Sequence, residues 1–124
     1  MAIYKRGKRV SDREQIKNEL EVRIIKGEFQ ENEPMLSVSS MATEYSISST
    51  TAMMIYNEMK AEGTLFAKQG TYTLVADGCR KRLEKKHTNK FRHELADLQD
   101  YAEDLGLDFS GEVERILELP KVTV

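Results

Sequence analysis

The stretch 37–75 limits what this chain can fold into more than any other part of it. Ser37 opens a short run to Glu44 in which Val38, Met41 and Ala42 recur at helical spacing. A serine hydroxyl there can accept a hydrogen bond from the free amides of a first helical turn. Tyr45 and Ser46 follow as a turn, with Ile47 as an apolar plug. Ser48 caps a second helix that reaches Glu62 and stops at Gly63, with Ala52, Ile55, Tyr56 and Met59 as its inward stripe. Ser49, Thr50, Met53 and Asn57 share the opposite stripe. Residues 64–68 and 71–76 alternate and are rich in β-branched and aromatic side chains, and Gln69-Gly70 between them suits a two-residue hairpin turn. Helix, tight turn, helix and hairpin, in that order, predict a winged helix-turn-helix. Such a scaffold commonly holds its second helix against a DNA groove.

The flanks complete the prediction. Residues 1–10 are polar and read as a basic N-terminal arm, with Lys5, Arg6, Lys8 and Arg9. A first helix runs from Ser11 or Asp12 to about Lys26. Ile16, Leu20 and Ile24 form its stripe, Val22 and Ile25 widen it, and Gly27 ends it. Residues 28–36 read as a loop containing Pro34. Beyond Asp77, Leu83, His87, Phe91, Leu95, Leu98, Ala102 and Leu105 are spaced 4, 4, 4, 3, 4 and 3, which fits one long helix with Thr88-Asn89 as the place for a break. Gly106 closes it, and Ser110 starts a short helix with Val113, Ile116 and Leu117 on its apolar side before Pro120. A winged domain of this size need not bury the long stripe alone, and alternating steps of four and three suit helix packing across a two-fold axis. The expected class is therefore mainly α with a small β-hairpin wing. Its parts are an arm (1–10), a winged helix-turn-helix domain (11–76), a helical dimerisation region (77–118) and a tail (119–124).

Charge and composition narrow the function classes. The net charge of −2 gives no global signal for nucleic acid, but the charges are segregated. Residues 80–92 carry seven basic side chains against Glu84, whereas 94–118 carry nine acids against Arg115. The basic run reads equally well as a DNA-facing surface and as a solvated helix face. Cys79 is the one cysteine, so no disulfide forms within the chain, as suits a reducing compartment. No apolar run is long enough to span a bilayer, and the opening Met-Ala-Ile-Tyr-Lys-Arg lacks the core of a signal peptide, so a cytoplasmic location is expected. There is no Gly-rich phosphate loop, nucleophile motif or cysteine pair. His87, His93 and Asp97 are too few for a metal site, so no catalytic residue, metal or cofactor is expected.

With the wing in place, the chain resembles the GntR family of bacterial transcription regulators. The matching residues are Gln15-Ile16, Leu20, Ile24 and Gly27, then Ser37 and Met41-Ala42. Ile47-Ser48, Thr51, Met59, Glu62-Gly63, Gln69-Gly70-Thr71 and Leu74-Val75 continue the match. The tail, with its basic helix followed by Leu105-Gly106-Leu107 and a short helix, resembles the short YtrA-like subfamily, whose tail makes a dimer interface. The resemblance implies a DNA-binding transcription regulator, read here as a repressor, acting as a homodimer on palindromic double-stranded DNA. DNA contacts are expected from Lys5, Arg6, Lys8, Arg9, Ser37, Ser39, Ser48, Ser49, Thr50, Thr51, Met53, Asn57, Lys68, Gln69 and Gly70. Ser49, Thr50 and Asn57 suit base edges, Met53 and the Thr50 methyl suit thymine methyls, and Ser37 and Ser48 suit phosphates. Leu83, His87, Phe91, Leu95, Leu98, Ala102 and Leu105 are the expected dimer interface. The chain departs from the family where arginine is usual, with Ser39, Ser49 and Met53, and Tyr72 replaces the second wing glycine. Those departures motivate an alternative: a winged-helix scaffold that has lost specific DNA binding and meets an unidentified protein partner through Met53 and Met54.

Overall fold

The computed structural model describes residues 12–68 and 72–118. In chain order it contains α1 (Asp12–Ile25), α2 (Val38–Glu44), α3 (Ser49–Ala61), β1 (Leu65–Ala67), β2 (Thr73–Val75), α4 (Cys79–Asp104) and α5 (Phe109–Glu118). The chain divides into two compact units, one spanning Lys8–His87 and the other including Thr88–Val124.

The first unit is the winged helix-turn-helix. Ile16, Leu20 and Ile24 of α1 pack in one core with Met41 and Ala42 of α2 and with Ala52, Ile55, Tyr56 and Met59 of α3. These are the apolar stripes that helical periodicity predicts. Val22 is the exception: it is exposed and does not widen the α1 stripe. The inward face of α1 carries two charged residues instead, Lys17 and Glu21, both buried. At the end of α3, Gly63 takes a φ of +81°. The Gly63 amide then donates to the Lys60 carbonyl (3.0 Å) and that of Thr64 to Met59 (2.9 Å). This closure satisfies two terminal carbonyls and turns the chain into β1.

β1 and β2 pair antiparallel, with Leu65 opposite Val75, Phe66 opposite Leu74 and Ala67 opposite Thr73. Leu65 and Val75 reach the core, while Phe66 is exposed. The expected loop at 28–36 has a more ordered role. Met35 donates to Thr73 (2.9 Å), Val75 donates to Glu33 (3.0 Å), and Pro34 bridges to Leu74. Backbone before α2 thus lies along β2 and covers the edge of the hairpin.

The unit does not end after the hairpin. Cys79 and Leu83, in the first turns of α4, belong to its core, and the compact unit runs on to His87. α4 continues through Thr88 and Asn89 without a break. In the second unit α4 ends at a left-handed Gly106, where the Leu107 amide donates to the Ala102 carbonyl (2.8 Å). Asp108 caps α5 by accepting from the Gly111 amide (3.2 Å), so that helix starts one residue before the expected Ser110. No helix among the described residues is long and apolar enough to cross a membrane.

Candidate nucleic-acid interface

The two helices of the helix-turn-helix are fixed from both ends. Ser37 caps α2: its Oγ accepts from the Ser40 amide (3.0 Å) and donates to Ser40 Oγ (2.9 Å). Ser48 caps α3 in the same way, accepting from the Thr51 amide (3.1 Å) and donating to Thr51 Oγ1 (3.0 Å). The hydroxyls of Ser37, Ser48 and Thr51 are thus engaged locally, a role that sequence reasoning gave in part to phosphate oxygens. Between the helices, Ser46 adopts a left-handed φ of +54° and the Ile47 amide donates to the Ala42 carbonyl (2.9 Å). Ile47 is then half-buried against the core, as a plug should be.

Polar contacts of three side chains, Tyr56, Lys17 and Arg23, hold α3 and α2 against the rest of the unit. Tyr56 is buried and donates from its hydroxyl to the Leu36 carbonyl (2.7 Å). Burial pushes the Tyr56 phenol above its ordinary range, so it stays a donor. Lys17 reaches from α1 to Glu62 (2.8 Å) and Glu58 (3.0 Å) of α3, with Glu14 at 3.4 Å. Burial works against the Lys17 charge, but the hydrogen bonds to Glu62 and Glu58 and the charges of Glu62 and Glu14 outweigh it. The ammonium is held above the usual lysine range. Arg23 pairs with Glu28 and Glu44, donates to the Tyr45 hydroxyl (3.2 Å), and sits 4.9 Å over the Phe29 ring. Sequence reasoning missed all of these. The available signal was that Lys17 and Glu21 share the face of Leu20 and Ile24.

What α3 leaves exposed is Ser49, Thr50, Met53, Met54 and Asn57, with Ala61 at its end. At 3.6 residues per turn these fall within an arc of about 140°. Across that arc there is no charge until Lys60, in the last turn of the helix. The acids nearest to it, Glu44 and Glu58, are paired with Arg23 and Lys17. Ser39 is exposed on α2, and Lys68 is exposed just after β1. Lys5, Arg6, Lys8, Arg9, Gln69 and Gly70 lie outside the described residues.

The basic run at 80–92 is partly spent on the chain itself. Arg82 Nη2 donates to Thr64 Oγ1 (2.9 Å), Arg80 pairs with Glu84 (3.5 Å), and Lys86 meets Glu21 (3.0 Å). Glu21 is completely buried and also lies 2.7 Å from His87 Nε2. Lys81 and Lys85 remain exposed. Among the described residues, no group of acidic, histidine and cysteine side chains has the arrangement of a metal site.

The sequence profile of the bacterial regulatory proteins of the gntR family matches residues 12–75. The chain belongs to that family. Its members are transcription regulators built on this DNA-binding fold, not enzymes. Solved structures agree on the architecture. A GntR-family transcriptional regulator from Listeria monocytogenes has a TM-score of 0.73 at 17% identity, covering 90% of this chain and 96% of its own. YtrA from Sulfolobus acidocaldarius, a GntR-family transcription factor, has a TM-score of 0.50 at 18% identity, covering 89% and 90%. BusR of S. agalactiae, solved with its busAB-promotor DNA, has a TM-score of 0.54 at 17% identity, covering 93% of this chain and 60% of BusR. No curated protein matches the sequence.

As a GntR-family member the chain departs from the pattern that the resemblance leads one to expect. Ser39, Ser49 and Met53, the positions where the resemblance expects arginine, are all exposed, so no buried role accounts for the change. The stripe read as one interface divides between the two units. Leu83 is buried in the winged core, His87 sits against Glu21, and Ala102 is covered by its own chain. Phe91, Leu95, Leu98 and Leu105 are exposed, Phe91 at 62% and Leu105 at 55%. On α5, Ile116 and Leu117 are exposed at 66% and 79%.

Proposed function

We propose that this GntR-family chain is a repressor that acts as a homodimer, with two copies of α3 set against the half-sites of a palindromic operator. The observation that carries the reading is the exposed α3 face, capped and braced from behind, on a fold whose relative BusR was solved on promoter DNA. Dimerisation is supported by the exposed leucines and Phe91 of α4, since large apolar side chains in a row mark a surface that meets another. A two-fold pair places its reading helices about one DNA turn apart, ~34 Å, and thereby favours a palindrome. Occupying such a site blocks access to it, which is the simplest form of repression, and the place of action is the cytoplasm.

Anisotropy of a labelled duplex from the region upstream of the gene tests this, with salt varied and a scrambled duplex as control. The expected result is saturable binding that beats the control and weakens with salt, from a protein that light scattering shows to be a dimer. A folded dimer that binds no duplex from that region at low salt would instead favour a protein partner meeting Met53 and Met54.

A further inference from the structure

We propose that α3 recognises its operator by apolar contact with thymine methyl groups, so that the DNA it selects is rich in A·T pairs. The proposal rests on the DNA-binding reading above and names the chemistry of that same surface. Each base pair offers the major groove a different set of groups. Guanine is read best by a bidentate arginine or lysine, adenine by asparagine or glutamine, and thymine by an apolar contact on its 5-methyl.

The exposed arc of α3 can be matched against that code. In the first turns of a recognition helix, where base edges are usually met, it offers Ser49, Thr50, Met53 and Met54, with Asn57 following. No arginine or lysine stands there to read guanine. Asn57 has the donor and acceptor that adenine requires. Met53 and Met54 are 44% and 46% exposed, so their thioethers are free to pack on a new apolar surface. Their unbranched chains adapt to an irregular floor such as a row of methyl groups. Thr50 adds a γ-methyl one turn before Met54.

Two further observations narrow the reading. Ser48 Oγ donates to Thr51 Oγ1 and accepts from the Thr51 amide, so the Ser48 proton is already committed at the start of α3. Glu44 and Glu58, which border the face, pair with Arg23 and Lys17, but each cation also serves other carboxylates, so the border keeps a net negative charge and the phosphates are best met from outside it. The same surface also discriminates against G·C pairs. A methionine pressed over guanine O6 and N7 or cytosine N4 would strip water from polar groups and return no hydrogen bond.

The test uses the full-length protein and a pool of randomised duplexes. The enriched duplex is resynthesised with deoxyuridine in place of thymidine, which deletes the 5-methyl and leaves Watson–Crick pairing intact. The expected result is an A·T-rich site whose affinity falls roughly three- to fivefold for each contacted methyl removed. In Met53→Ala and Met54→Ala the thymidine and deoxyuridine duplexes should bind more nearly alike. Equal binding of the two duplexes by the unmodified protein would overturn the proposal and leave DNA binding intact. Enrichment of G·C-rich sites would also overturn it. Failure to enrich any duplex, from a protein with a cooperative thermal melt, would instead count against the DNA-binding reading itself.

Discussion

Ser46 occupies a backbone region that costs a residue with a Cβ about 1–2 kcal/mol, at the turn on which the relative placement of α2 and α3 depends. Ser46→Gly should therefore raise stability by roughly 0.5–1 kcal/mol, once glycine's extra freedom in the unfolded chain is subtracted. A urea midpoint that stays level or falls would refute this. Lys17 works through electrostatics. Its folded-state pKa is raised, so its contribution is complete below the unfolded lysine value of about 10.4 and disappears as pH climbs through the folded one. The stability deficit of Lys17→Met should thus be constant between pH 7 and pH 9, by urea unfolding at each pH. A deficit that shrinks across that window would mean the ammonium is not held as described. The burial of Lys17 and Glu21 was signalled by their place on the face of Leu20 and Ile24, but what pairs with them was not. Apart from Glu14, their partners lie 41 to 66 residues away, and local pattern carries no information about such pairs.

The elements differ in how plainly the sequence announced them. α3 was legible nearly to the residue because a serine cap, a four-residue inward stripe and a glycine stop all agree with one helix. The turn from Tyr45 to Ile47 was legible for the same reason. α4 was legible as a helix but not in its allegiance. One uninterrupted period of leucines and aromatics runs through two environments, since Leu83 is completely buried while Phe91 is mostly exposed. Periodicity reports which side of a helix is apolar and is silent on what covers it. Leu83→Ala should accordingly cost the winged unit about 2–4 kcal/mol, whereas Phe91→Ala should change the stability of an isolated protomer by less than about 0.5 kcal/mol. Chemical denaturation at low protein concentration separates the two, and equal losses would contradict the division. The exposed face of α3 was legible in its residues, but the engagement of the Ser37, Ser48 and Thr51 hydroxyls was not. A serine's letter does not say whether its hydroxyl faces its own helix or a ligand.

For the molecule as a whole, the decisive quantity is how much apolar surface a lone copy leaves in water. Leu95 and Leu98 on α4, Leu105 just after it, and Ile116 and Leu117 on α5 are more than a solitary chain normally tolerates. Leu98→Glu should convert the proposed dimer to monomers by light scattering, because pairing would bury two carboxylates without partners. A dimer that persists would place the interface elsewhere. Operator affinity should fall in the same variant, since two half-sites would no longer be held by one particle.

The chain also carries its own clock. Its single thiol, on Cys79, is 2% exposed at the start of α4, and burial followed by the nearby Glu31 charge pushes its pKa up. A buried, protonated thiol is a poor nucleophile, so a disulfide reagent such as Ellman's should modify the native protein far more slowly than the unfolded chain. The residual rate would then measure how often that turn of α4 lifts from the core, an opening free energy obtained without a label or a mutation. A rate that matches the unfolded chain would mean the turn is open most of the time.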